Sequence, residues 1–105
     1  MKVKNLGGTG EHGCPCGTWL KHWENFSAQA PSAFCSVVGC IQAATLGAHV
    51  IRTGETLVGL LGLQYIVPMC ASHNSQAGAI DIDDRVQLVS ADVAGTCGKP
   101  RRQEH

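Results

Sequence analysis

The stretch "YIVPMCASHN" (65–74) joins an apolar, β-branched run to a thiol, an imidazole and an amide. The run to Pro68 reads as a strand. Cys70 and His73 follow at i and i+3, a spacing that shares one face of a helix. Upstream, "CSVVGC" (35–40) places Cys35 and Cys40 around Gly39, where a turn aims both thiols at one point. Zn²⁺ takes four tetrahedral N or S ligands, usually delivered as two close pairs. Cys35, Cys40, Cys70 and His73 therefore form the first candidate zinc site. Buried small residues and a surface histidine are the plainer reading of each pair alone. Two pairs at ligand spacing favour metal.

The segments between and around these pairs set the expected architecture. "ATLGAHVIR" (44–52) reads as a strand and "LQYIVPM" (63–69) as its return. The Gly-rich "TGETLVGLLG" (53–62) is the hairpin tip. "CASHNSQAG" (70–78) is a short helix with Gly78 as its stop. Thr18 caps an earlier helix in which Trp19, His22, Trp23 and Phe26 fall on one face and Ala30–Pro31 mark the end. "AIDI" (79–82) and "VQLVSA" (86–91) alternate as strands, and the turn "DDR" (83–85) predicts a C-terminal hairpin. The expected fold is α+β: one small zinc-stabilised domain over residues 1–105. Residues 1–13 and 98–105 are expected to be flexible tails.

Cys14, Cys16 and Cys97 remain. With His22 as fourth ligand, or His12 in its place, they make a second candidate zinc site. Two such sites use all six cysteines. Structural zinc contributes on the order of 10–16 kcal/mol in finger peptides. That matters in a 105-residue chain with only two Trp, two Phe and one Tyr to build its core.

Composition narrows the functions. Eight Lys and Arg balance eight Asp and Glu, and the basic residues are scattered, so a nucleic-acid-binding face is not obvious. No apolar segment is long enough to span a bilayer. No secretory signal follows the N-terminal lysines. The expected setting is therefore intracellular (cytoplasmic) and reducing, where paired cysteines favour metal over disulfides. The alternative is a secreted six-Cys protein, for which 15 pairings exist. The C-P-C motif lacks the spacing and βαβ setting of thioredoxin-type redox sites. No phosphate-binding glycine loop or serine elbow is present, and no organic cofactor is expected.

Turn, hairpin and helix, in that order, resemble a treble-clef zinc module over about residues 35–77. "GAHV" (47–50) with "YIVPMCASHN" is similar to the core of the HNH endonuclease family, which is built on that module. The resemblance implies a structural zinc held by Cys35, Cys40, Cys70 and His73. It also implies a general base at His49 and a catalytic-ion ligand at Asn74. Two positions depart from the family pattern. Ala48 stands where an Asp or His commonly precedes the base, and Tyr65 stands where Asn is common. Asp81, Asp83 and Asp84 read as a charged turn.

The leading expectation is a non-catalytic zinc module with a structural or partner-binding role, its partner a protein or a nucleic acid. Trp19 and Trp23 are the candidate anchors, because aromatics are over-represented at binding hot spots. The alternative is an HNH-like, metal-dependent nuclease.

Overall fold

The computed structural model describes residues 1–6, 17–30, 33–53 and 64–92. Among the described residues five strands form one antiparallel sheet, and two helices complete the α+β architecture. In chain order these are β1 (Lys2–Asn5), α1 (Trp19–Phe26), β2 (Leu46–Arg52), β3 (Tyr65–Met69), α2 (Ala71–Asn74), β4 (Ala79–Asp81) and β5 (Val89–Ser90). Across the sheet the order is β4-β1-β2-β3-β5.

The sheet has two unlike faces, because successive strand side chains point to opposite sides. Ala48 and Val50 of β2 join Val3, Val67, Met69, Ile80 and Ile82 in a first core, with Cys35 and Cys70 at its end. His49, between them in sequence, points to the other face and meets Trp19 of α1. There Trp23, Ile66 and Val89 form a second core.

Helix α1 starts where Thr18, in extended conformation, accepts a hydrogen bond from the Lys21 amide. This satisfies one of the four free N–H groups of a first turn. The helix ends at Ser27, which turns extended, short of the expected stop at Ala30. It lies close on β2 because residue 47 is glycine. A Cβ there would sit 2.3 Å from the backbone carbon of Trp19. The segment after α1 is laced to the segment before β5. The Gln87 amide donates to Gln29 Oε1 and the Ala28 amide to Gln87 Oε1.

Two expectations are corrected. The C-terminal hairpin does not form: β4 and β5 lie at opposite edges of the sheet. Of the expected strand 86–91 only Val89–Ser90 forms; β4 finds β1, with Ile80 opposite Val3, and β5 finds β3. The expected flexible segment 1–13 contains β1, whose Val3 is fully buried and whose register runs between β2 and β4. The Met1 amino group rests on Asp81 and Asp84 carboxylates and the Ile82 carbonyl. Those carboxylates keep it protonated to higher pH than usual. Residues 7–13, residues 98–105 and positions 54–62 of the expected hairpin tip lie outside the described residues.

The turn at 35–40 ties distant strands together. The Ser36 amide donates to Pro68 O and the Asp83 amide donates to Ser36 O, both at 3.0 Å. The Val38 amide donates to Asp81 O, and Val37 bridges Ile82. So the turn spans from the end of β3 to the outer edge of β4 and closes the first core. Pro68 suits this place. Its carbonyl points away from β2, toward Ser36, so its missing N–H would have pointed there too, where β3 has no strand partner.

Candidate metal centre

Four side chains meet at the closed end of the first core. The ligand atoms of Cys35, Cys40, Cys70 and His73 all lie within 4.8 Å of one another. Two local structures deliver them. A short ribbon pairs Phe34 with Ala43 and the Cys35 amide with Gln42 O. At its tip the Cys40 amide donates to Val37 O, and Gly39 takes φ +78°. That is the left-handed region, which glycine enters without a Cβ penalty. The second pair comes from β3 running into α2. Cys70 is the N-cap of α2, and its sulfur accepts from the His73 amide at 3.5 Å.

The spacing fits one tetrahedral ion. Zn–S near 2.3 Å and Zn–N near 2.0 Å put ligand atoms about 3.5–3.8 Å apart in a tetrahedron. His73 Nδ1 lies 3.3 Å from Cys70 Sγ and 3.6 Å from Cys35 Sγ. The ring thus presents Nδ1 to the sulfurs. Cys35 and Cys70 are buried, while Cys40 and His73 are half-buried. An open groove of about 530 Å³, lined by Gln42, Thr45 and Ser72 among others, runs beside Cys70 and His73. It gives solvent a route to one side of the centre.

The protein prepares the thiols unequally. The His73 amide, aided by neighbouring thiol and imidazole hydrogen bonds, brings Cys70 down to about 7. Burial pushes Cys35 up, opposed by the Val37 and Cys70 amides that donate to its sulfur. A metal ligates thiolates, so a cation is what makes all three cysteines comfortable together. Among the described residues Cys35, Cys40 and Cys70 are free thiols, not disulfides.

The other sequence candidates are scattered. Cys14, Cys16, Cys97 and His12 lie outside the described residues. His22 is fully buried on α1, with Nε2 2.8 Å from Ser90 O. A carbonyl only accepts, so Nε2 is the donor in this bond. His49 is 8% exposed, its ring edge-on to Trp19 at a centroid distance of 4.4 Å. It faces α1. Asn74 belongs to α2, which is held at the opposite face through Cys70 and Asn5. The sheet lies between the two residues that the nuclease resemblance pairs. Ala48 is 1% exposed and packed in the first core, and Tyr65 packs against that core.

The expected partner anchor Trp23 is a core residue. It is 2% exposed, and its indole N–H donates to Gln87 O at 2.8 Å. Trp19 is half-buried, wedged between His22 and His49. The acidic turn is occupied as well: Asp83 forms a two-pronged pair with Arg85, which holds its carboxyl down at about 2. Among the described residues no helix is long and apolar enough to cross a membrane.

Sequence reading missed Asn5. From β1 its side-chain amide donates to His73 O at 2.7 Å and to Gln76 O at 3.1 Å. No sequence signal links positions 68 apart. No protein-family model, curated protein or solved structure matches this chain.

Proposed function

We propose that this protein is a zinc-stabilised module of treble-clef type, whose ion is structural. The observation that carries this reading is the convergence of three sulfurs and one imidazole nitrogen within 4.8 Å. Soft thiolates with one imidazole suit Zn²⁺, and four protein ligands leave no open position for substrate. The order of turn, hairpin β2–β3 and helix α2 supports the treble-clef assignment. The ion would hold the turn at 35–40 against the start of α2 and so close the first core.

The reading is non-catalytic. His49 and Asn74 are separated by the sheet, and Ala48 supplies no metal-binding group beside His49. Metal-loaded protein is expected to leave duplex DNA intact in Mg²⁺, Mn²⁺ or Ni²⁺. Cleavage abolished by His49→Ala would overturn this.

A second ion held by Cys14, Cys16, Cys97 and His22 is part of the proposal. The Ser90 carbonyl supports it, because ligating histidines commonly donate their other ring nitrogen to such a group. Elemental analysis of protein purified without added metal tests both sites. Two zinc ions per chain are expected. One ion, lost in Cys70→Ala, retains the first site and removes the second. Zero ions removes the reading.

A further inference from the structure

Helix α2 has four residues. Isolated helices shorter than about 12–15 residues are marginal in water. A metal ligand on such a helix needs its backbone held by something else. One end is fixed, because Cys70 caps it directly off β3. At the other end the Ser75 hydroxyl donates to Ala71 O or Ser72 O and the Gln76 amide donates to His73 O at 3.1 Å, bonds that close the turn on itself without tying it to the sheet. Asn5 is aimed at that end. Its Nδ2 donates to the carbonyl of His73 at 2.7 Å and to that of Gln76 at 3.1 Å.

Which way this amide points is settled by its neighbours. Both are carbonyls, which accept and do not donate, so the NH₂ group must face them. Its Oδ1 is left buried with no partner among the described residues. Leaving a buried oxygen unsatisfied is unfavourable. The side chain sits here in spite of that, and the two donors are what it supplies.

Asn5 also has a fixed relation to the other ligands. It pairs with Val50 of β2, and β2 pairs with β3, whose end leads into Cys70. The sheet thus holds both ends of α2: Cys70 through the chain, and the backbone of His73 through Asn5.

From this geometry we infer that Asn5 is a positioning residue for the metal centre, clamping the His73 carbonyl so that Nδ1 meets the three sulfurs. The inference rests on the zinc reading above. Removing an outer partner of a ligand typically lowers metal affinity about 10–100-fold. Asn5→Asp keeps the shape but turns two donors into a carboxylate facing two carbonyl oxygens.

The test compares the wild-type chain, Asn5→Asp, Asn5→Ala and Ile80→Ala. Ile80 packs in the first core and its side chain makes no hydrogen bond, so its truncation costs stability while leaving the Asn5 amide in place to hold His73. Zinc affinity by chelator competition, the rate of zinc release, and the Co²⁺ thiolate charge-transfer and d–d spectrum are read for each. Both Asn5 variants are expected to lose about 10–100-fold in affinity and to show an altered Co²⁺ spectrum. Ile80→Ala is expected to melt earlier with the spectrum unchanged. Asn5 variants within twofold of wild type, or an equal effect from Ile80→Ala, would overturn the inference.

Should the Asn5 variants not fold, the wild-type side-chain NH₂ protons of Asn5 serve. They are expected to exchange slowly with metal bound and quickly after chelation; indifference to metal would overturn the inference. Failure of the wild type to bind Zn²⁺ or Co²⁺ at all is a separate result. It sinks the zinc reading, and the inference with it.

Discussion

The two faces of the sheet are held by different means. On one, small and β-branched side chains from four strands gather around three thiols, and the helix supplied is a single turn. On the other, one capped helix lays Trp23 onto Ile66 and Val89, and its indole finds the Gln87 carbonyl. The Trp face has a large side chain and satisfied polar groups. The Cys face has modest side chains and converging thiols, one pushed toward the neutral form by burial. A chain with few aromatics has built one face by packing and given the other the donors for a cross-link.

Metal removal should break this contrast most strongly. Structural zinc in finger peptides contributes on the order of 10 kcal/mol or more. Chelation is expected to abolish protection of the Ser36, Val38 and Asp83 amides in hydrogen exchange, and to lower the urea midpoint by more than any single substitution. An unchanged midpoint would mean that the thiol face stands on packing alone. Next in size is Trp23→Ala, expected to cost about 3–5 kcal/mol in a denaturant melt. If the faces are separate, the variant still takes up Co²⁺ with the wild-type spectrum.

Gly47→Ala sharpens the same division. Its new methyl would meet the Trp19 backbone, so α1 must shift, at a cost of about 1–3 kcal/mol. Thermal melts should show the loss, with metal affinity unchanged.

Acid separates the faces again. Cys70 titrates at about 7, below the ordinary thiol value. A lowered thiol favours the folded state above its usual range, and that contribution is lost as pH falls through about 7. Cys35 is raised, so its effect on the metal-free fold has the opposite sign: it favours the fold at low pH and is lost as pH rises through its folded value. Metal requires every thiol deprotonated, so zinc affinity should fall steeply below about pH 7 in a competition titration. A flat profile from neutral pH downward would contradict thiolate ligation. The smallest effect is expected from Asp83→Asn. The Asp83–Arg85 pair is solvent-exposed, and such pairs contribute little.

Much of the thiol face was legible in the sequence. Cys35, Cys40, Cys70 and His73 announce themselves by spacing, because a turn and a helix start are local structures. Strands β2 and β3 were legible for the same reason, as was the cap at Thr18. Strand neighbours were not. Alternation at "AIDI" and "VQLVSA" reveals which side chains share a face, but not which strand lies alongside. Lys2-Val3-Lys4 carries the same alternation as β4. It is so short and so charged that it reads as a tail until Ile80 is found opposite Val3. Asn5 lies further beyond reach, since its contacts exist only after both strands and α2 are in place.

The position of β1 has a consequence for assembly. This strand lies between β2 and β4, so the segment nearest the start of this sequence must wait for residues 46–52 and then 79–81 before its two sides are paired. Such long-range closure is slow compared with forming a hairpin. A ribosome adds about 5–20 residues each second. Over the seconds needed to reach β4, Val3 has no partner on that side and the sheet has an open edge. During synthesis, the β2–β3 hairpin can form first. The earliest-made strand joins the finished sheet among the last.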